Sequence, residues 1–214
     1  MGPQDAPVKA ARDYDASGRR ERADARRHAT FDVAEQLFLR DGYAATTVDA
    51  IARAAAVSPA TIYKSYGGKV GLLRSLCRRA LAGAGPVPAE ERSNVVRTDA
   101  DPERVMQGWQ RLIAEVAPRI LPLLLVLHDV AGTDPEAQAL REEIEAQRLE
   151  RMADNARSLA TAGHLRPGVS HREARDILWL ASSPELYDLL VRRRGWSVSR
   201  YSRHMTEMMR ATLL

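Results

Sequence analysis

From Ser58 to Lys69 the chain carries hydroxyls, two amines, two phenols and small side chains, and no acid. That set suits contact with an anionic duplex more than bond-breaking chemistry. Ser58-Pro59 is a helix start: the serine hydroxyl can accept from an orphan N–H, and proline needs no N–H in the first turn. The helix it opens is short, Pro59 to about Tyr66, and only Ile62 is placed to bury an aliphatic side chain. Ser58, Pro59, Ala60, Thr61, Tyr63 and Lys64 are left for an open face. Leading residues that are short, or that reach base edges, are what let a helix enter a major groove. Thr61 offers a methyl to thymine or a hydroxyl to either base pair. Tyr63, Lys64 and Tyr66 suit phosphate oxygens or thymine contact. Lys69 heads the following helix, whose first N–H groups can also hold a phosphate. The competing reading is a polar helix facing water in an ordinary bundle, since this layout also recurs by chance.

The elements that must position this helix are legible on either side of it. Phe31, Ala34, Leu37 and Phe38 recur at the spacing of one buried helix face. Asp41-Gly42-Tyr43 stops that helix, glycine being suited to the left-handed conformation common at helix C-termini. Thr46-Thr47 opens a second helix with Val48, Ile51, Ala52 and Ala55 as its stripe. Helix, short turn and capped helix make a helix-turn-helix layout.

Enzyme chemistry finds no foothold. The histidines (His28, His128, His164, His171, His204) lack metal-ligand spacing, and Gly67-Gly68 precedes a helix without a strand before it. No Gly-x-Ser-x-Gly elbow occurs. We therefore expect neither catalysis, cofactor nor metal. Cys77, the only cysteine, shares an apolar face with Leu73, Leu76 and Ala80 and reads as packing; a reducing cytoplasm suits such a chain. No 7–15-residue apolar run follows the initiator Met, so no signal peptide is expected, and the longest apolar run, Leu121 to Leu127, is too short to span a membrane. Residues 1–80 hold 14 Lys+Arg against 9 Asp+Glu, whereas 81–214 hold 18 against 19, so the positive excess lies wholly in the candidate reading region.

Gly42 to Ala52, Ala55-Ala56-Val57-Ser58-Pro59-Ala60-Thr61-Ile62-Tyr63 and Tyr66-Gly67-Gly68-Lys69 resemble the N-terminal domain of TetR-family transcriptional regulators. The order of glycine, threonine pair, Ile-Ala, Val-Ser, aromatic and lysine is kept. Ala56 stands where the family usually has glycine, Tyr66 where it has phenylalanine, and Val70 where it has an acid. The resemblance implies a repressor that binds a pseudo-palindromic double-stranded DNA operator as a homodimer. It implies release by a small-molecule inducer held in the C-terminal domain. Its DNA contacts would come from Thr46, Thr47, Ser58, Pro59, Ala60, Thr61, Tyr63, Lys64, Tyr66 and Lys69. The alternative is a helical architectural or adaptor protein without ligand control.

The expected division is a flexible arm over 1–20, a DNA-binding domain over 21–82 and a ligand-binding and dimerisation domain over 83–214. Arg19, Arg20, Arg22, Arg26 and Arg27 either track phosphates or form a frayed, charged helix start. Past 82 the pattern is all-α: a loop to Thr98, helices opened by Asp101-Pro102 and Asp134-Pro135, and a short helix near 121–130. One helix is expected from the Ser170 capping box to Arg194, and a last one from Ser197, about nine helices in all. Leu186, Leu190, Tyr201, Met205, Met208 and Met209 give the last two helices more apolar surface than a terminal hairpin normally buries. Two such hairpins would bury it as a four-helix bundle across a twofold axis. Leu165-Arg166-Pro167-Gly168, Trp179, Ser183 to Tyr187 and Gly195-Trp196 resemble the C-terminal domain of an actinobacterial-type subset of the same family, where this region forms the dimer. Met106, Trp109, Leu112, Ile113, Leu124, His128, Ile144, Gln147, Arg148, Met152 and Trp179 mix large apolar with a few polar groups, as pockets do. The same residues would also serve as plain core, and the pocket is mainly what the resemblance implies.

Overall fold

The computed structural model describes residues 9–214, with side chains from residue 18 onward apart from 19, 22 and 23. All ten of its helices are α-helical in the main, and no strand occurs among the described residues. They are α1 (Lys9–Asp41), α2 (Val48–Ala54), α3 (Pro59–Tyr66), α4 (Lys69–Ala82), α5 (Ala89–Val96), α6 (Pro102–Ala131), α7 (Pro135–Thr161), α8 (His171–Ala181), α9 (Pro184–Tyr187) and α10 (Val198–Leu213). The chain widens to π-helical geometry over Asp188–Arg193, directly after α9.

Cap chemistry sets most boundaries. Thr47, Ser58, Ser170 and Ser197 each accept a backbone N–H three residues on, and Asp101 and Asp134 cap α6 and α7 with a proline in the first turn. Gly163 and Gly195 leave α7 and the π stretch with positive φ.

Four expectations change. The helix of the N-terminal region starts at Lys9, so the arm expected over 1–20 is helical from residue 9; residues 1–8 lie outside the described residues. Alanine and arginine are strong helix formers, and in that stretch they outweigh Gly18. The expected loop to Thr98 contains α5, which buries only Ala89 and Ser93 and so shows little periodicity. The helices expected on either side of residue 120 are one, α6, running through Pro118 and Pro122. Each proline removes one helical hydrogen bond, but Ala117, Ile120, Leu121, Leu123 and Leu124 are buried around them and hold the helix in place. Finally, the helix expected from Ser170 to Arg194 is split. Ser182 caps the end of α8, Ser183 accepts the Leu186 N–H at 3.3 Å, and Pro184 is the first residue of α9 rather than a kink.

One hydrophobic core runs through Phe38, Ile51, Ile62, Leu72 and Leu76 of the N-terminal helices into Ile120, Leu123, Leu127, Leu140 and Tyr201. The core thus runs unbroken past the end of α4 at Ala82. A second cluster, with Val105, Met106, Trp109, Leu159, Leu178 and Leu213, fills the far end of the bundle. No described helix is long and apolar enough to cross a membrane.

Candidate nucleic-acid interface and cavity

α3 is pinned by Ile62, with Tyr66 packed at its last position. Ile62 is completely buried, while Ser58, Pro59, Ala60, Thr61 and Lys64 are exposed and Tyr63 stands 57% exposed. Ser58 Oγ accepts the Thr61 N–H at 3.1 Å and lies 2.8 Å from its hydroxyl, so both polar groups at the helix tip are held in place before any partner arrives. Gly67 ends α3 at φ 76°. Gly71, in the first turn of α4, is fixed by close approach: a Cβ there would lie 1.6 Å from the Tyr66 carbonyl oxygen. The α2–α3 turn holds Ala56 at φ 53°, a left-handed conformation that costs a non-glycine residue about 1–2 kcal/mol. Exposed Arg53 on α2 and Lys64 on α3 form no ion pair among the described residues, which keeps positive charge free beside the open face. Arg20, Arg26 and Arg27 are also exposed, with Arg27 3.7 Å from Asp24. Arg19 and Arg22 are among the side chains left undescribed.

Three residues expected on that face are turned elsewhere. Thr46 is 2% exposed, and its hydroxyl donates to the Gly42 carbonyl at 2.7 Å, tying the end of α1 to the entry of α2. Its neighbour Thr47 is exposed and caps α2. Tyr66 is half-buried against Phe31, ring centroids 5.5 Å apart, and burial pushes its phenol up. Lys69 spends its amine inward: Nζ donates to the Tyr43 carbonyl at 2.8 Å and sits 3.9 Å from the Tyr43 ring centroid. Desolvation lowers its pKa there. Their spacing marked these residues as surface, but whether a side chain turns inward depends on what the neighbouring helix offers.

The same tyrosine reaches across the molecule. Tyr43 is buried, and its hydroxyl donates to Asp134 Oδ2 at 3.3 Å. Asp134 Oδ1 meanwhile accepts the N–H groups of Glu136 and Ala137 as the N-cap of α7. A second tie joins Arg74 of α4 to Glu143 of α7. At the α4–α5 corner, both Glu115 oxygens accept from Arg92 at 2.7 Å, and one also accepts the Ala84 N–H at 2.8 Å. Tyr43 and α4 are therefore tied to α7, and the α4–α5 corner to α6, by polar contacts as well as by shared core.

Behind these ties lies a cavity of about 710 Å³, within the size range of small-molecule sites. It is framed by α5, α6, α7, α8 and α10 and by Leu81 at the end of α4. Trp109, Leu112, Ile113, Leu124, Ile144, Gln147, Arg148 and Met152, expected from the sequence, line it. Met106 does not: it is fully buried in the second core cluster. His128 sits instead between two carboxylates, Nδ1 3.3 Å from Glu185 and Nε2 3.7 Å from Glu145. With His128 and Arg148 both against it, the Glu145 carboxyl is pushed down to about 2. Trp179 lies on the outer face of α8, 37% exposed, with the Arg148 guanidinium 4.5 Å from its ring centroid. Sequence reasoning missed Ser93, Asn155 and Tyr201 on the cavity wall. Ser93 belongs to the unrecognised α5, and Tyr201 was assigned to another surface.

That other surface also changes. Tyr201, Met205 and Met209 are at most 3% exposed, covered by their own chain, so a second subunit cannot reach them. They were expected at a dimer interface because α10 is amphipathic, but α6 and α8 already take that face. Leu186, Leu190 and Met208 remain half-buried, and Leu180 and Leu189 are each 48% exposed. Cys77 is buried, and burial pushes its thiol up to about 12, as fits packing. No group of three or more His, Cys, Asp or Glu able to hold a metal occurs among the described residues.

Residues 31–76 match the sequence model of bacterial regulatory proteins of the tetR family. No curated protein matches the chain. The fold resembles that of NalD, the secondary repressor of the MexAB-OprM multidrug efflux pump in Pseudomonas aeruginosa, at 22% identity over 91% of this chain and 98% of that one, with a TM-score of 0.69. It resembles SmeT in its triclosan complex at 19% identity over 87% and 90%, TM-score 0.69. It also resembles the fatty acid degradation regulator FadR of Bacillus halodurans at 17% identity over 86% and 94%, TM-score 0.64. Residues 31–76 thus match the tetR-family model, and the chain as a whole shares the fold of these solved structures.

Proposed function

We propose that this chain is a cytoplasmic, non-enzymatic repressor that binds a pseudo-palindromic operator as a homodimer and lets go when a small molecule occupies the cavity. The observation that carries the reading is the acid-free α3, pinned by Ile62 with Tyr66 at its end and presenting Ser58, Ala60, Thr61, Tyr63 and Lys64 outward. Those groups suit base edges and phosphates, with Thr47 beside them and unpaired Arg53 adding charge. Thr46, Tyr66 and Lys69 take a different part in this reading, holding the helix-turn-helix in shape from within.

One recognition helix of eight residues makes few contacts, so binding strength needs two of them about 34 Å apart on successive major grooves. The surface offered for self-association is Leu180, Leu186, Leu189 and Leu190 with Met208, apolar side chains left partly uncovered by their own chain. NalD is described as a repressor and SmeT was solved with triclosan bound; a cavity of about 710 Å³ behind the Tyr43–Asp134 and Arg74–Glu143 ties is consistent with the same kind of control. An effector acting this way prefers the DNA-free spacing of the two heads, and DNA weakens its binding by the same factor.

A footprint on the DNA flanking the gene, run beside light scattering, tests the reading. A protected palindrome bound by a dimer, with affinity falling steeply as salt rises, is expected. A monomer in solution, or selection from random oligonucleotides that returns no symmetric site, overturns it.

A further inference from the structure

The near-neutral charge of residues 81–214 hides a local excess. From Leu189 to Thr206 the chain carries five arginines, Arg192, Arg193, Arg194, Arg200 and Arg203, with His204 and no acid. All five are exposed. Asp188, just before the run, lies 2.6 Å from Arg193 and 3.3 Å from Arg192, one carboxylate against two cations. Arg194, Arg200 and Arg203 form no ion pair among the described residues. Trp196 braces the corner: the Arg200 guanidinium lies 4.0 Å from its ring centroid, and the His204 ring meets its edge at 5.2 Å. A guanidinium stacked on a ring keeps its N–H fork free for a partner. Gathered like charges repel one another and exposed arginines add little to stability, so folding alone does not account for the concentration.

The helix register fixes where this patch lies. α8 runs antiparallel to α7: His171 Nε2 is 3.1 Å from the Ala153 carbonyl, and Arg148 donates to the Trp179 carbonyl at 2.8 Å. A little further on, Glu145 of α7 and Glu185 of α9 flank His128. Each turn along α8 and α9 is thus a turn back towards the start of α7, where Asp134 holds Tyr43 of the helix-turn-helix region. The chain reverses at Gly195, φ 68°, and α10 leads away, so that Arg210 meets Glu103 at 3.0 Å and Leu213 joins Val105 and Met106 at the far end. The arginine corner therefore sits on the end of the bundle that carries the helix-turn-helix.

We propose that this corner is a second contact surface for duplex DNA, one that grips phosphates and is blind to sequence. The occupant is the duplex that α3 reads. It presents about one negative charge per 1.7 Å of helix axis, and guanidinium forks match phosphate oxygens. Arg194, Arg200 and Arg203 meet phosphates directly, while Arg192 and Arg193 share Asp188 and add less. The proposal rests on the DNA-binding reading above, and its test tells the two apart.

The experiment measures binding of the full chain to a mixed-sequence duplex of about 40 base pairs, long enough for two half-sites and their flanks, by fluorescence anisotropy over a salt series. Three variants join the parent. One carries Arg194→Gln, Arg200→Gln and Arg203→Gln; a second carries lysine at the same three positions. The third carries Arg104→Gln, Arg157→Gln and Arg172→Gln, which removes equal charge at the far end. The first should bind about tenfold to a hundredfold more weakly at low salt, with the slope of log affinity against log salt shallower by about two to three per subunit. The lysine and far-end variants should keep the parent's slope. Because both corner variants lose the guanidinium stacked on Trp196, a folding defect would weaken both, whereas a lost phosphate contact spares the lysine variant. The proposal is overturned if the first variant matches the parent, if the lysine variant weakens as much, or if the far-end variant shows the same shallower slope. It is also overturned if light scattering shows that the first variant no longer self-associates, which would make the corner a contact between subunits. A parent that binds no duplex sinks the DNA-binding reading itself; a parent that binds with its slope unchanged in the first variant sinks this surface alone.

Discussion

The hydroxyl of Tyr43 donates to Asp134 Oδ2 across 3.3 Å and 91 residues of chain, joining the turn after α1 to the cap of α7. Tyr43 also carries Lys69, by its carbonyl and its ring, and stacks on Phe38 with centroids 5.5 Å apart. One residue thus holds α1, α4 and α7 together. Burial and the Asp134 charge both raise its phenol pKa, so it stays a donor throughout the neutral range.

A double-mutant cycle measures that link. Tyr43→Phe removes only the donor; Asp134→Ala removes the acceptor and the α7 cap, and the cycle cancels the cap. A coupling of about 1 kcal/mol in denaturant unfolding is expected. Strictly additive losses would mean that the contact contributes nothing.

Ala56→Gly should stabilise the protein. At φ 53° alanine pays a left-handed penalty of about 1–2 kcal/mol, while glycine returns part of it as lost backbone entropy, leaving about 0.5–1 kcal/mol net. Chemical denaturation read by circular dichroism checks the sign, and a destabilised variant would show that the turn is not strained.

How much of this was readable in advance follows from which interactions are local. The starts at Ser58-Pro59, Asp101-Pro102 and Asp134-Pro135 were legible because a cap and its N–H lie within three residues. The open face of α3 was legible because only Ile62 among its residues has an aliphatic chain to bury. Lys69, Thr46 and Tyr66 turn inward for partners set by tertiary packing, namely the Tyr43 carbonyl, the Gly42 carbonyl and the Phe31 ring. Helical period likewise says that Tyr201, Met205 and Met209 share a face but not which neighbour covers it. The neighbour is the chain itself, and that moved Tyr201 from an expected dimer contact to the cavity wall. Pro118 and Pro122 misled in the opposite direction, since a proline reads locally as a break and only the surrounding core keeps α6 continuous.

Acid should loosen the α4–α5 corner. Arg92, and after it the Ala84 N–H, hold the Glu115 carboxyl down at about 2, against an ordinary value of 4.5. A folded-state pKa below the unfolded one contributes stability that is present above about 4.5 and lost as pH falls towards 2. Glu115→Gln cannot make this contribution at any pH. The gap in melting temperature between the parent and Glu115→Gln should therefore narrow between about pH 6 and about pH 3. A gap that stays constant over that range would show that the carboxylate is not held by its partners. Partial exposure of both side chains keeps the effect small.

Tyr63 and Lys69 separate recognition from support. Tyr63 is 57% exposed and caps nothing, so Tyr63→Ala should leave the melting temperature nearly unchanged, a surface change being worth within about 0.5 kcal/mol. Operator affinity should fall roughly tenfold to a hundredfold, the loss of one duplex contact of about 1–3 kcal/mol. Lys69→Ala should do the reverse in order. It removes a 2.8 Å hydrogen bond and a cation held 3.9 Å from the Tyr43 ring centroid, lowering stability by about 1–2 kcal/mol, and it weakens DNA binding only through a loosened helix-turn-helix. Thermal melts and gel shifts on the two variants side by side distinguish the roles. If Lys69→Ala melts like the parent yet loses the operator, the amine reaches a phosphate after all. If Tyr63→Ala keeps full operator affinity, α3 does not present that ring to the duplex.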